Sequence, residues 1–227
     1  MRIIFVLFVL FMLSANSFGF DRYTAHGGPI KGLAYSADLG LVVSTSFDYT
    51  AVIWDAGTMQ ELKQLIGHDA AVNAAAFSPD GRWLATAGDD NQVLLWETAQ
   101  LRDPQHTPTG TPLTGHTAKI VHLAFSGDGK YLASSSWDRR IGLWDIETLS
   151  IKQFLISHKG PVNAAQFSRD GKLLFSGGAD GHIRVWRLET GEFVRSIVRN
   201  GFGINVMQLS PKLGVIAYGG SNGVMRS

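Results

Sequence analysis

Histidine, a serine or threonine, and aspartate recur at fixed spacing in this sequence, and these are the residue types of a hydrolase triad. In such a site the imidazole takes the hydroxyl proton of the nucleophile, and the carboxylate orients the imidazole. The set occurs four times, as His26/Ser44/Asp48, His68/Thr86/Asp90, His116/Ser134/Asp138 and His158/Ser176/Asp180. One enzyme needs one such site, and no G-x-S-x-G segment raises a serine into a cleft. The recurrence therefore favours a structural role, and we predict no catalytic residue.

A tryptophan follows each of these histidines at an interval of 28 residues, and the successive histidines are 42, 48 and 42 residues apart. The four tryptophans are Trp54, Trp96, Trp144 and Trp186. Self-similarity at this period indicates a repeat protein. The repeats run over about 26–67, 68–115, 116–157, 158–199 and 200–227. The same count places a fifth tryptophan one position after Ser227, so we expect the sequence to be a fragment of a longer one.

Each repeat contains three short runs rich in β-branched and aromatic residues. The first two runs are joined by SPDG, SGDG or SRDG, in which Asp-Gly supplies the positive φ of a hairpin turn, and the next turn carries the recurring aspartate. A fourth run leads to the next histidine. Four antiparallel strands per period describe one blade of a β-propeller. The predicted fold is all-β, with four complete four-stranded blades, a partial fifth and an open ring.

The joint recurrence of Gly-His, the turn aspartate and Trp-Asp resembles the WD-repeat β-propeller family over residues 26–227. The Trp-Asp pair is kept at 54–55 and 144–145 and replaced at 96–97 and 186–187. The resemblance implies a hydrogen-bonded network in each blade: His26/Ser44/Asp48/Trp54, His68/Thr86/Asp90/Trp96, His116/Ser134/Asp138/Trp144 and His158/Ser176/Asp180/Trp186. Asn200, Tyr218 and Asn222 take the corresponding places in the fifth repeat, where no network is expected.

The family's usual blade number implies that the chain is part of a ring of seven or more blades. The resemblance also places residues 20–24, FDRYT, where the family supplies the outermost strand of its last blade. An open ring would expose sheet edges and apolar faces, which favour aggregation.

Residues 1–19 have the pattern of a secretory signal peptide. Arg2 precedes an unbroken apolar run from Ile3 to Leu13, and small or polar residues follow, with cleavage expected near residue 17 or 19. The run is shorter than the roughly 20 apolar residues that span a bilayer, so no stable membrane anchor is expected after cleavage. We predict an exported protein, periplasmic in a bacterium or secreted.

The composition excludes several classes of function. With 45% hydrophobic and 17% charged residues the chain can form a packed core, and 20 basic against 19 acidic residues give no reason to expect a nucleic-acid partner. The absence of cysteine excludes disulfides and thiolate metal sites within this sequence. The remaining histidines, His106, His122 and His182, lack partners at metal-ligand spacing, so no metal and no cofactor is expected in this chain.

Two sets of positions that the repeat leaves variable are candidates for partner binding. In propellers of this family both sets tend to rim the face that partners use; alternatively, they pack between blades. The first set, five residues after each histidine position, is Lys31, Asn73, Val121, Asn163 and Asn205. The second set, just before each turn aspartate or its replacement, is Phe47, Asp89, Trp137, Ala179 and Ser221. The six-residue insertion in TAQLRDPQHTPTGTPLTG is either a binding loop or drift.

These observations favour a non-catalytic scaffold of the cell envelope or periplasm that binds a protein or peptide on one propeller face. The alternative follows from phrases such as HGGPIKGLA and SSSWDRRIGLWD, which resemble exported proteobacterial WD-repeat proteins. Some of those continue into a c-type cytochrome domain, so the chain could be the propeller module of an electron-transfer protein, with haem c only in a domain beyond residue 227. An enzyme with a channel active site is the third reading. It is the least favoured, because the inner strands carry mostly small apolar residues.

Overall fold

The structure, a computed structural model, describes residues 25–199, 201–210 and 214–226. The predicted signal peptide (1–19), the FDRYT segment and Asn200 lie outside these residues. Among the described residues, every regular element is a β-strand except one 3-10 turn at Thr98–Gln100. No helix in this part of the chain is long and apolar enough to span a membrane.

The strands form four four-stranded sheets and one three-stranded sheet, each a simple antiparallel meander. The first blade contains β1 (Ile30–Ser36), β2 (Leu41–Ser46), β3 (Thr50–Asp55) and β4 (Glu61–Ile66). The second contains β5 (Val72–Phe77), β6 (Trp83–Gly88), β7 (Val93–Glu97) and β8 (Thr111–Leu113). The third contains β9 (Ile120–Phe125), β10 (Tyr131–Ser136), β11 (Arg140–Asp145) and β12 (Ser150–Ile156). The fourth contains β13 (Val162–Phe167), β14 (Leu173–Gly178), β15 (His182–Arg187) and β16 (Phe193–Arg199). The fifth contains β17 (Ile204–Ser210), β18 (Val215–Gly220) and β19 (Met225–Arg226). The predicted all-β propeller architecture is confirmed.

The Asp-Gly hairpins join the first two strands of blades two to four, as their sequence dictates. Gly81, Gly129 and Gly171 have φ values of 70°, 73° and 67°, a region that a side chain strains and glycine does not. The preceding aspartate closes each turn by accepting from the serine hydroxyl two residues earlier, at 2.5–2.6 Å. These turns lie at one end of the blades, here called the lower surface, and the turns of the recurring aspartates lie at the opposite end, here called the upper surface.

The blades pack face to face, with the innermost strands β1, β5, β9, β13 and β17 contacting one another in that order. The tryptophan of each blade from the second onward lies in the apolar layer shared with the preceding blade. Trp96 packs with Val43 and Ile53 of the first blade, and Trp186 with Leu143 of the third. Each such layer removes large apolar side chains from water, which supplies most of the stabilisation of stacked repeats.

The two terminal faces of the stack carry exposed apolar side chains. On the first blade Leu33 and Tyr35 are 70% and 59% exposed, and on the fifth Val206 and Met225 are 64% and 79% exposed. The positions equivalent to Leu33 and Tyr35 in the second blade, Ala75 and Phe77, pack against the first blade instead. The difference follows from the presence or absence of a neighbouring sheet.

Candidate functional site

The structure brings together the four residues of each recurring set in blades one to four. The distances from histidine Nε2 to the hydroxyl oxygen are 2.8, 2.8, 2.7 and 2.8 Å for His26, His68, His116 and His158. Those from Nδ1 to the turn aspartate are 3.0, 2.7, 2.7 and 3.0 Å. The indole N–H of each blade's tryptophan donates to the same hydroxyl at 2.8–2.9 Å. In each blade, the hydroxyl oxygen of the second strand thus links the histidine of the preceding loop to the tryptophan of the third strand. The turn aspartate joins this network through the histidine.

This geometry matches the spacing of a hydrolase triad but not its accessibility. The four hydroxyl residues Ser44, Thr86, Ser134 and Ser176 are at most 2% exposed. Each hydroxyl oxygen already accepts the indole proton and lies against the imidazole, so no substrate carbonyl can approach it. The four clusters thus have the burial and the mutual hydrogen bonding expected of structural networks.

The turn aspartates are held ionised by donors around them. Burial alone would raise the pKa of Asp48, but hydrogen bonds from Thr50, the backbone of Gly27 and His26 outweigh it and lower the pKa to about 2. The pKa of Asp180 is likewise lowered to about 2, because the donors Lys159 N–H and His158 and the charge of Arg184 outweigh burial. The pKa values of Asp90 and Asp138 are lowered in the same way. Each aspartate therefore ties the loop that precedes its blade to the turn inside it.

An arginine joins the network in the third and fourth blades, and the sequence reasoning missed both. In the third blade Arg140 lies at the surface, donates to Asp138 at 2.8 Å and to the carbonyl of Gly115, and covers the Phe154 ring. In the fourth blade Arg184 comes from within the sheet, is 6% exposed, and donates to Asp180 at 2.8 Å. The visible signal for Arg184 was a charged residue at a strand position that holds Val52, Leu94 or Gly142 in the other repeats.

Arg184 changes the state of the histidine beside it. Its Nη1 lies 2.5 Å from His158 Nδ1, the same ring nitrogen that lies 3.0 Å from the Asp180 carboxylate, so the cation and the carboxylate meet at one edge of the imidazole. Burial and the positive charge of Arg184 lower the pKa of His158 to about 4, against the raising effect of Asp180. The Nε atom of Arg184 has no hydrogen-bond partner among the described residues.

The fifth blade keeps the fold but not the chemistry. Tyr218 lies in the apolar layer shared with the fourth blade, and Asn222 accepts only the backbone N–H of Val224 among the described residues. Asn200 lies outside the described residues. In the segment SPKLG, Gly214 has a φ of 65°, which glycine adopts without strain.

The predicted rim positions lie at the upper surface, and the structure divides them into two groups. Phe47 and Trp137 are 53% and 47% exposed, and Lys31, Asn205, Ala179 and Ser221 are also exposed. Asn73 and Asn163 are half-buried and link neighbouring blades instead: their side-chain amides donate to the carbonyls of Ile120 and Ile204 at 3.0 and 2.9 Å. Asp89 accepts from Asn73 at 2.7 Å. Some of these positions are thus exposed at the upper surface, whereas others link neighbouring blades.

A shallow groove of about 320 Å³ lies on the upper surface between the third and fifth blades. Its lining consists of Val121, Trp137, Asn163 and Asn205, all drawn from the two variable sets. The ammonium of Lys119 sits 3.7 Å from the centre of the Trp137 ring. The side chain of Asn205 makes no hydrogen bond within the described part of the chain, which leaves its amide available to a ligand.

The histidines outside the networks do not gather ligands. No group of three or more histidine, aspartate or glutamate side chains capable of holding a metal occurs among the described residues. His122 is half-buried with its Nδ1 enclosed, and burial lowers its pKa to about 4. Its Nδ1 has no hydrogen-bond partner in this part of the molecule.

The insertion between the second and third repeats is anchored on the first blade. Arg102 donates to the Asp55 carboxylate at 2.9 Å and to the carbonyls of Leu39 and Gly40. Lys63 Nζ donates to two carbonyls of the inserted loop, those of Asp103 and His106, each at 2.6 Å. The loop therefore connects the first two blades along the lower surface and the outer edge.

Comparison with known proteins identifies the family. The model of the WD domain, G-beta repeat, matches residues 20–55, 59–97, 106–145 and 149–187, which is more than half of the chain. The chain belongs to this family. The four matches coincide with the four repeats that carry a complete network.

Curated relatives match over about a third of the chain. Protein hir1 of Schizosaccharomyces pombe is 31% identical over 80 residues, 35% of this chain and 9% of its own length. Periodic tryptophan protein 2 of Arabidopsis thaliana is 34% identical over 80 residues, again 35% and 9%. Apoptotic protease-activating factor 1 of Rattus norvegicus is 38% identical over 77 residues, 34% of this chain and 6% of its own. The chain thus spans less than a tenth of the length of each of these relatives.

Proposed function

We propose that this chain is a non-catalytic interaction module that holds a protein or peptide partner on the upper surface of its propeller. The first support is that the side chains that could act in catalysis already bond to one another. All four histidine–hydroxyl–aspartate sets are hydrogen-bonded inside the blades. Membership of the WD-repeat family is consistent with such a role, although fold alone does not determine function.

The observation that carries the proposal is the exposure of aromatic side chains at that surface. Phe47 and Trp137 stand at equivalent turns and are about half exposed, although large aromatic side chains are normally buried. Aromatic anchors of this kind dominate the energetics of protein interfaces. Trp137 also borders the groove, so a partner could bury its ring further.

Site-specific photo-cross-linking tests this role. A photoreactive phenylalanine analogue replaces Phe47 or Trp137 in cells that make the protein, and Lys130 or Arg169 on the lower surface serves as the matched control. We expect a discrete protein adduct from the upper positions and none from the lower ones. Equal adducts from both surfaces, or none from either, would overturn the proposal.

We further propose that the protein is exported and acts in the cell envelope or periplasm. Support is the N-terminal sequence alone, in which Arg2 precedes the apolar run Ile3–Leu13 and the small residues that follow. Expression in a bacterium followed by N-terminal sequencing of the periplasmic fraction should give a mature chain that begins at Phe18 or Phe20. An intact Met1 retained in the cytoplasm would contradict it.

The electron-transfer role remains a prediction of the sequence resemblance. Its test is the gene sequence downstream of codon 227, where a Cys-x-x-Cys-His motif would support a c-type cytochrome domain.

A further inference from the structure

The charges of the upper surface are unevenly distributed, although the chain as a whole is nearly neutral. Above the third and fourth blades Lys119, Arg139 and Lys159 have no carboxylate partner among the described residues. The turn aspartates of these two blades, Asp138 and Asp180, are 3% and 9% exposed and belong to the networks. These three cations therefore give the upper surface of blades three and four a local excess of positive charge.

The lower surface of the same blades shows the opposite arrangement. There Lys130 and Lys172 each stand two residues after a hairpin aspartate, and their charges help to lower the pKa values of Asp128 and Asp170. Charges alternate along these hairpins, so the field largely cancels. The uncompensated charge is thus a property of the upper surface and not of the blades in general.

The groove lies on the same surface as these cations and directly beside Lys119. Trp137 and Val121 offer it an apolar wall, Asn163 and Asn205 offer amides, and Lys119 stands over the indole. Its volume of about 320 Å³ suits one large side chain of a bound segment and not a folded surface. A ligand that fits must therefore combine negative charge with a single apolar residue.

Building on the proposed function, we propose that the upper surface of blades three and four binds an acidic peptide segment. One large apolar side chain of that segment lies in the groove against Trp137, and its flanking carboxylates lie against Lys119, Arg139 and Lys159. A protein segment is favoured over nucleic acid because only three unpaired cations are present. In addition, Asp69 and Asp89 of the neighbouring second blade limit the positive surface to blades three and four, which is too short for a continuous phosphate backbone.

Selection of displayed random 12-residue peptides on the immobilised chain tests the ligand class. We expect the enriched peptides to carry several Asp or Glu residues around one Leu, Phe or Trp. The affinity of the best peptide, measured by fluorescence anisotropy, should fall as sodium chloride is raised, because the charge pairs are exposed to solvent.

Two charge-matched variants locate the binding surface. The upper variant is Lys119→Glu with Arg139→Glu and Lys159→Glu, and the lower variant is Lys130→Glu with Arg169→Glu and Lys172→Glu. Both change the net charge equally in the same two blades. We expect at least about tenfold weaker binding by the upper variant and less than about twofold by the lower one. Trp137→Ala alone, which leaves every charge in place, should also weaken binding by about tenfold or more.

The outcomes separate the inference from the function on which it rests. Enrichment of neutral or basic peptides that depend on Trp137 would overturn the acidic ligand and leave the upper-surface interaction standing. Absence of enrichment, or equal loss in both charge variants, would overturn both. Binding of a 12-nucleotide uridine oligomer to the upper surface as tightly as the best peptide would overturn the inference in favour of nucleic acid.

Discussion

The third and fourth blades fold in the same way, but an arginine reaches the turn aspartate from the surface in the third and from inside the sheet in the fourth. In the third blade Gly142 contributes no side chain to the interior, and Arg140 reaches Asp138 from the surface, where its side chain is 23% exposed. In the fourth blade Arg184 stands where Gly142 stands in the third and approaches Asp180 from within, with its side chain 7% exposed. The same hydrogen-bond pattern can thus be built around a solvated or a buried cation, and the two should differ in how much each member contributes to stability.

The largest difference is expected when the turn aspartate loses its charge. Asp180→Asn leaves the guanidinium of Arg184 buried without a counter-charge, which should lower the free energy of unfolding by about 3–5 kcal/mol. Asp138→Asn should lower it by only about 1–2 kcal/mol, because Arg140 can turn to water. Urea denaturation at pH 7 followed by tryptophan fluorescence measures both values, and equal losses would show that burial of the arginine is unimportant.

The fourth blade should also make stability depend on pH. Because the pKa of His158 is lowered from 6.5 to about 4 in the folded chain, the unfolded chain binds more protons between these values. Stability is therefore highest above pH 6.5 and falls by up to about 3 kcal/mol as the pH drops towards 4. Asp48 and Asp180, whose pKa values are lowered to about 2, remain ionised in the folded chain in this window.

Denaturation at pH 7.0, 5.5 and 4.5 gives the slope, and His158→Asn is the control that removes the titrating group. A wild-type slope no steeper than that of the control would contradict the assignment to His158.

In the third blade, Gly142→Ala should be destabilising although alanine normally suits a strand better than glycine. A Cβ atom at this position would lie 2.7 Å from Ser134 Oγ and 2.9 Å from His116 Nε2, so the network would have to shift. Overpacking of this kind costs about 1–3 kcal/mol. The exposed Gly201, where a Cβ would meet nothing within 4 Å, provides the control, and equal thermal shifts for the two alanine variants would argue against a tight fit.

The smallest effect is expected from Arg184→Leu, which gives the fourth blade the residue found at Leu94 in the second. Asp180 keeps its bonds to His158 and to the backbone of Lys159, and the buried charge is removed. We expect a change of less than about 1 kcal/mol at pH 7, in either direction, and a shallower pH dependence than in the wild type. A loss as large as that of Asp180→Asn would mean that the cation itself holds the blade together.

The architecture could be predicted from the sequence because the same residue pattern recurs in four repeats. The Asp-Gly turns, the position of the turn aspartates and the pairing of His68 with Thr86 and Trp96 all follow from local residue types at a fixed period. Single deviations carry less information. Nothing in the sequence alone distinguishes Asn73, which bonds to the next blade, from Asn205, which is exposed, because their difference depends on what the adjacent blade offers.

Long-range side-chain contacts were the other part that the sequence could not supply. Arg184 was visible as an anomaly, but the sequence does not say that its guanidinium turns towards Asp180 and His158 and not towards solvent. Arg102 lies in a proline-containing insertion whose sequence indicates no contact for it, and its partner Asp55 is 47 residues away. Such contacts depend on three-dimensional closeness, which periodicity does not encode.

The anchored insertion also limits which blade can precede the second one. Arg102 bonds to Asp55, and the residues that follow the tryptophan in the other units are Glu97, Asp145 and Arg187. If the second unit were transplanted behind the fourth, its guanidinium would face Arg187, and attraction would become repulsion. A chain with its blades in that order would therefore keep the hydrogen-bond network inside every blade but lose the ion pair that Arg102 makes between two blades.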